Sequence, residues 1–175
     1  MARRSRSFTL VEAAISTVIV GVMLTAVLQT AGAARAGERL LAQRGRGLVL
    51  ARNLMAEILQ QAYTDPAAGL GSFGVGADEV TGNRSLFEDV DDYNGWLASP
   101  PQNKDGSAVP QATGYEESVS VAWVTANNLL QTSGTETGVK KIVVTIKYGG
   151  RVVAALTAWR TQSWTDPAAA AGGAP

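Results

Sequence analysis

The hexapeptide Ser7-Phe8-Thr9-Leu10-Val11-Glu12 begins an apolar stretch that continues through residues 13–28. An arginine-rich leader, residues 1–7, precedes the apolar stretch, and Glu12 is the only charged residue within it. A helix of about 21 residues is about 31 Å long, which matches the hydrocarbon core of a bilayer. The sequence therefore predicts a membrane-spanning helix that carries one carboxylate near its start.

The position of Glu12 needs a reason, because an ionised carboxylate in hydrocarbon costs several kcal/mol and is usually paired. A basic leader, a small residue, the motif F-T-L-x-E and a hydrophobic helix form the class III signal of type IV pilins and type II secretion pseudopilins. This chain resembles that family, and its residues 8–12 match the motif position by position. The resemblance implies an α+β, pilin-like fold. In that fold a long N-terminal helix, membrane-spanning in its first half and amphipathic in its second, packs on a small antiparallel β-sheet.

The same resemblance implies how the N-terminus is processed and used. In that family a prepilin peptidase cleaves before the Phe and methylates the new amine. This implies cleavage between Ser7 and Phe8, N-methylation of Phe8, and neutralisation of a neighbouring subunit's terminal amine by Glu12 during assembly. The family nearly always has Gly where this chain has Ser7, so we expect the small serine side chain to serve in its place.

The implied function is that of a minor pilin or pseudopilin subunit of a type IV pilus or type II secretion-like filament. The implied partners are other pilins, bound through their N-terminal helices, the prepilin peptidase, an inner-membrane assembly platform and membrane lipid. The implied location is the bacterial inner membrane, with a single pass, a cytoplasmic N-terminus and an extracytoplasmic C-terminal domain. After assembly, the implied location is a pilus or a periplasmic pseudopilus.

Two other interpretations of the N-terminus stay open. A cleaved secretory signal could use the small residues Ala31-Gly32-Ala33-Ala34 as its cleavage site, but it leaves Glu12 unexplained. A membrane-tethered extracytoplasmic binding domain would use the same anchor without assembling into a filament. Glu12 argues against this second interpretation as well.

The composition limits the chemistry that the chain can perform. The 175 residues include no Cys and no His, which excludes disulfides, the Ser-His-Asp triad, the Cys-His pair and the usual zinc sites. The chain has 15 basic and 15 acidic residues, and the basic leader leaves a negative mature chain when it is removed. Acidic residues also dominate the region 78–117, so we expect no nucleic-acid-binding domain. We also expect no enzyme, because the sequence shows no recognisable catalytic nucleophile or base.

Helical periodicity extends beyond the apolar stretch and ends at Asp65-Pro66. Arg46 and Glu57 are predicted on the polar face of this helix, and the glycines of 32–47 mark its bendable part. The predicted apolar face consists of Leu40, Leu41, Leu48, Ala51, Met55, Ile58, Leu59 and Ala62. The predicted organisation is a leader (1–7), an assembly helix (8–34), an amphipathic helix (35–63), a globular domain (64–165) and a disordered tail (166–175).

The most distinctive stretch of the globular part is Asp89-Val90-Asp91-Asp92-Tyr93-Asn94-Gly95-Trp96. It resembles a loop of minor pilins of the mannose-sensitive haemagglutinin (MSHA) type, in the group of minor pilin D. In that group the loop also follows a helix ending like residues 56–60. The resemblance is the main reason to expect a minor subunit.

Oxygen-bearing side chains make this loop a weak calcium candidate, and calcium is the only cofactor we consider. The candidate ligands are Asp89, Asp91, Asp92 and Asn94. The loop does not match the EF-hand pattern, because Tyr93 stands at the fifth position, where that pattern requires Asp or Asn. Asp and Asn also cap turns through their own backbone, and this is the competing interpretation. A tethered hydrolase that uses these carboxylates with a metal is the least favoured alternative.

Three strands are predicted in the second half of the chain. Residues 117–125 alternate, with Val119, Val121 and Trp123 on one face. The pair Gly149-Gly150 predicts a two-residue hairpin turn within 140–160. That turn predicts the cross-strand pairs Tyr148–Arg151, Ile146–Val153, Val144–Ala155 and Ile142–Thr157. We further expect Leu129 and Leu130 to fold onto the core, and Trp159 and Trp164 to pack at the sheet edge.

Overall fold

One long helix and a small antiparallel sheet make up the computed structural model, which describes residues 9–66, 72–76 and 82–162. The helix α1 spans Leu10–Leu59, and a short 3-10 turn follows at Asp91–Tyr93. The strands within the described residues are β1 (Leu97–Ala98), β2 (Tyr115–Thr125), β3 (Asn128–Thr132), β4 (Val139–Tyr148) and β5 (Arg151–Thr161). The chain divides into two compact units, Met1–Ala42 and Gln43–Pro175. The predicted α+β layout is confirmed.

The first unit consists, in its described part, of the N-terminal portion of α1. The helix begins where the Thr9 hydroxyl oxygen accepts the backbone N–H of Glu12 at 3.3 Å, as an N-cap residue does. Hydroxyls within the apolar stretch donate to carbonyls of the preceding turn, for example Ser16 to Glu12 at 2.7 Å and Thr25 to Val22 at 2.8 Å. Because the hydroxyls are satisfied inside the helix, they do not prevent the helix from entering an apolar environment.

Large apolar side chains cover the surface of this portion and remain exposed. They are Leu10, Val11, Ile15, Val18, Ile19, Val20, Val22, Met23, Leu24, Val27 and Leu28. By length and composition the helix is suited to cross a membrane. In length and composition, α1 therefore agrees with the predicted membrane-spanning segment.

In the second unit, one stripe of α1 packs against the sheet. The stripe consists of Gly47, Leu50, Ala51, Leu54, Met55 and Ile58, spaced at three and four residues. The prediction placed Leu40 and Leu41 on the packed face, but both are exposed. The packed stripe begins at Gly47, and the prediction missed Leu50 and Leu54.

The helix ends four residues earlier than the predicted limit at Tyr63. Ala62 is not helical, because its backbone bonds the loop of residues 84–96, here called the acidic loop. Its N–H donates to the Glu88 carbonyl, and its carbonyl accepts the Val90 N–H, both at 3.1 Å. This bridge fixes the loop against the end of α1.

The sheet is antiparallel with the order β1-β2-β4-β5, and β3 pairs with the end of β2. One face of the sheet covers the helix and holds the core residues Val119, Val121, Ile142, Val144 and Ile146. The predicted alternation in β2 and the inward face of β4 are therefore confirmed. The predicted inward Trp123 is half-buried and contacts Phe73 edge to face at 4.8 Å between ring centroids.

The turn Gly149-Gly150 is present, with φ of +53° and +78°, and Tyr148 pairs with Arg151 as predicted. The predicted register fails beyond this point, because β5 contains one extra residue, Val153. A bulge of this kind shifts every later residue to the opposite face. The observed pairs are therefore Ile146–Ala154, Val144–Leu156 and Ile142–Ala158.

Two other predictions for apolar residues are wrong. Leu129 and Leu130 do not fold onto the core, and Leu130 is 80% exposed on β3. Trp159 lies on the edge strand β5 but on its outward side, where it is 43% exposed and its Nε1 donates to the Leu129 carbonyl at 3.5 Å. Trp164 and the predicted tail 166–175 lie outside the described residues.

Candidate functional site

The first candidate site is the start of α1. Glu12 is exposed in the third helical position, and its neighbours Leu10, Val11 and Ile15 are exposed apolar residues. A carboxylate in the first turn is favourable for the helix dipole, so Glu12 has a local role at the helix start. The other two predicted site residues, Ser7 and Phe8, lie outside the described residues.

The second candidate site is the acidic loop, which the structure buries. Asp89, Asp91 and Asp92 are each only 1% exposed. Asp89 Oδ1 accepts the N–H groups of Asp91 and Asp92 at 2.7 and 3.3 Å, and Asp92 Oδ2 accepts those of Glu88 and Asp89 at 2.9 and 3.0 Å. Two of the three carboxylates therefore cap the turn that carries them, which is the competing interpretation.

The third carboxylate, Asp91, pairs with Lys140, a residue that the sequence analysis did not select. Lys140 is fully buried, and its ammonium donates to Asp91 Oδ1 and to the Tyr63 carbonyl. Asp91 Oδ2 accepts the Gly74 N–H at 3.1 Å. The sequence did indicate that Lys140 is buried, because it lies two residues before Ile142 and therefore on the same inward face of β4. A lysine on an apolar face requires a buried partner.

Proximity of the three carboxyl groups changes the acidity of Asp89. Burial, and then the hydrogen bond and the negative charge of Asp91, raise the pKa of Asp89 to about 8. The charge of Asp92 acts in the same direction. Asp89 therefore keeps its proton at neutral pH.

The four predicted calcium ligands are engaged in other contacts in the structure. Asn94 is exposed and its Oδ1 accepts the Val121 N–H at 3.0 Å, while the Lys140 ammonium supplies the positive charge beside Asp91. Within residues 9–66, 72–76 and 82–162, no three acidic side chains are grouped so that they could hold a metal ion. Calcium binding by this loop stays a prediction.

A second buried charge cluster lies around Arg84, which is 1% exposed. Its guanidinium donates to both carboxylate oxygens of Glu57 on α1, at 2.8 and 3.1 Å, and to Glu117 on β2 at 3.1 Å. It also donates to the Gln102 carbonyl at 2.8 Å and lies 4.8 Å from the Trp96 ring centroid. One arginine thus connects the helix, the sheet and two loops.

Neighbouring donors complete the Arg84 cluster. The Tyr93 hydroxyl donates to Glu57 and the Trp96 Nε1 donates to Glu117, both at 3.0 Å. Burial and the negative charge of Glu57 raise the pKa of the Tyr93 phenol, so it remains a donor. Glu57 was predicted on the polar face of the helix, which is consistent with its charge, but no local pattern indicated its partner.

Both clusters hold the loop of residues 84–96 between α1 and the sheet. Their charged groups are engaged with one another or with backbone groups, which is an arrangement typical of structural networks. The absence of enzymatic activity stays a prediction from the sequence. Comparisons with known protein families, curated proteins and solved structures find no match for this chain.

Proposed function

We propose that this chain is a minor pilin or pseudopilin subunit of a type IV pilus or type II secretion-like filament. The observation that carries the proposal is the motif F-T-L-V-E at the head of a helix whose apolar side chains are uncovered. The α+β domain that follows the helix is compatible with a pilin-like fold, which is part of the proposal.

The proposed mechanism uses the apolar helix twice. The helix first holds the subunit in the bacterial inner membrane, and the prepilin peptidase then removes residues 1–7 and methylates Phe8. The subunit next moves from lipid into a bundle of similar helices at the assembly platform. In the bundle Glu12 meets the terminal amine of a neighbour, and the charge pairing offsets part of the desolvation cost of its carboxylate.

The deciding experiment compares Glu12→Ala with Glu38→Ala in cells that assemble the filament. Glu38 is an exposed acid on the same helix but outside the apolar stretch, so it is a matched control. We expect both variants to insert into the membrane and only Glu12→Ala to be missing from purified filaments. Normal co-purification of Glu12→Ala with its partner pilins would contradict the proposed role of Glu12.

The same experiment tests the alternative of a tethered extracytoplasmic binding domain. A tethered domain would leave the unmodified chain in the membrane fraction, with no pilin-like protein bound after mild extraction. Recovery of the unmodified chain with pilin-like partners would instead favour assembly.

A further inference from the structure

The buried pair Lys140–Asp91 differs from an ordinary surface ion pair. Their side chains are 0% and 1% exposed, so water does not reach the contact. The Tyr63 ring covers the amine, with 4.5 Å between Nζ and the ring centroid. The two residues are 49 positions apart in the chain, one on β4 and one in the 3-10 turn. A primary amine therefore touches one carboxyl group inside a dry core.

A third group, the Asp89 carboxyl, adjoins this pair. Asp89 is 1% exposed, and its Oδ1 accepts the Asp91 N–H at 2.7 Å. Asp89 Oδ2 receives no hydrogen bond from a donor among the described residues, and the atom is buried. A second buried carboxyl group therefore lies beside the Lys140–Asp91 contact.

We propose that Lys140 and Asp91 become joined by an intramolecular amide bond between Nζ and Cγ, with Asp89 transferring the protons. The bond requires an amine, a carboxyl in contact with it, a neighbouring acid and the exclusion of water, and the three side chains provide these conditions. This inference does not depend on the proposed filament function.

The reaction balances without any further reactant. The reacting forms are the neutral amine and the carboxylic acid, which arise when one proton passes from Nζ to the Asp91 carboxylate within the pair. The Nζ lone pair attacks Cγ of Asp91, and Asp89 donates its proton to the oxygen that leaves as water. The nitrogen then returns a proton to the Asp89 carboxylate. One C–N bond forms, one C–O bond breaks, and Asp89 ends in its starting state.

The fold favours this reaction in two ways. The contact holds the reacting groups together, which removes the entropic cost of bringing them together. The enclosed site also keeps out the water that would hydrolyse the product. The amide would connect β4 to the acidic loop covalently in a chain that has no Cys for a disulfide.

Mass spectrometry of the purified, denatured full chain tests the proposal. We expect an intact mass one water below the mass of the linear chain. We also expect trypsin not to cleave after Lys140, so that peptide 85–104 is recovered joined to peptide 105–141. A linear mass would overturn the proposal. A water loss confined to a linear peptide that contains Asp105-Gly106 would also overturn it, because succinimide formation there has the same mass effect.

Variants distinguish the amide from the ion pair. Lys140→Arg keeps a cation opposite Asp91 but should restore the mass of the linear chain. Asp91→Asn should still form the amide, with loss of ammonia in place of water, and should give the same product mass as the unmodified chain. Asp89→Asn should leave most molecules linear. Linear Asp91→Asn, or full crosslinking in Asp89→Asn, would contradict the chemistry proposed.

The pair Lys147–Glu116 provides a matched control within the same strand. Its atoms are also in contact, at 2.7 Å, but its side chains are 39% and 35% exposed. Lys147→Arg should leave the mass deficit unchanged. A deficit that disappears in Lys147→Arg and persists in Lys140→Arg would overturn the assignment to Lys140.

Discussion

Gly47 of α1 lies directly against Val153 of β5, since a Cβ atom at position 47 would stand 2.7 Å from Val153 Cγ2. The same atom would lie 3.6 Å from the Ala154 Cβ. Val153 is the extra residue of the β5 bulge, so the bulge and the glycine meet at one point of the interface. Gly47 is therefore a close-packing position, and the sequence had suggested only a flexible one.

Gly47→Ala should destabilise the globular domain, although alanine is the better helix former. The new methyl meets a β-branched side chain with little rotamer freedom, and overpacking of this kind costs about 1–3 kcal/mol. The gain in helix propensity offsets about 1 kcal/mol of that cost. We expect a net loss of about 1 kcal/mol in the free energy of unfolding, measured by urea denaturation of the detergent-solubilised chain.

Gly45→Ala is the matched control for this prediction. No atom lies within 4 Å of the corresponding Cβ position at Gly45, so only the helix propensity changes. We expect it to raise the free energy of unfolding by about 1 kcal/mol. Equal stabilisation by the two substitutions would contradict the close contact at Gly47.

Arg84→Met should be among the most damaging single substitutions in the domain. It would leave Glu117 buried and Glu57 half-buried without their common cation, and breaking a buried ion pair on one side costs about 3–5 kcal/mol. The control Lys147→Met removes a partly exposed ion pair, for which about 0–1 kcal/mol is expected. Thermal unfolding measures both variants, and equal melting temperatures would refute this ranking.

Local patterns in the sequence predicted most of the elements but not their long-range partners. The Gly149-Gly150 turn and the alternation in β2 depend on neighbouring residues, and both are correct. The bulge at Val153 lies against Gly47, which is more than 100 positions away in the sequence, and the hairpin pattern contains no information on that contact.

The candidate site shows the same limit. The sequence selected the aspartates of the loop, but their partner Lys140 is 49 positions from Asp91 and no local pattern connects the two residues. Arg84 and Glu57 are also far apart in sequence, at a separation of 27. The loop that was predicted as a weak metal site takes part in two buried charge networks, one around Lys140 and one around Arg84.

The raised pKa of Asp89 predicts that stability falls as pH increases from about 4 to about 8. In this range the unfolded chain has lost the Asp89 proton while the folded chain still binds it, so folding takes up a proton. The stabilisation is complete below the unfolded pKa and is lost as pH rises through the folded pKa. Lys140→Arg, which cannot form the amide, is the suitable background for chemical denaturation at several pH values.

Adding Asp89→Asn to that background should reduce the pH dependence. The asparagine Oδ1 can still accept the Asp91 and Asp92 N–H groups, and its amide can donate to the Asp91 carboxyl without a titrating proton. The two variants should therefore diverge in stability between pH 4 and pH 8. Parallel stability curves across this range would show that Asp89 is ionised in the folded chain.

Processing of the N-terminus depends on the residue at position 7. If the prepilin peptidase accepts serine because it is small, Ser7→Gly should be cleaved at least as completely as the unmodified chain, and Ser7→Leu should remain full length. Ser5→Leu, which places the same bulk two residues earlier, should be cleaved normally. N-terminal peptides of material isolated from cells report the outcome, and the mature peptide should begin with N-methylated Phe8. If the unmodified chain retained Met1 or Ala2, the terminal amine at Phe8 would not exist, and the proposed pairing of Glu12 with that amine would be contradicted.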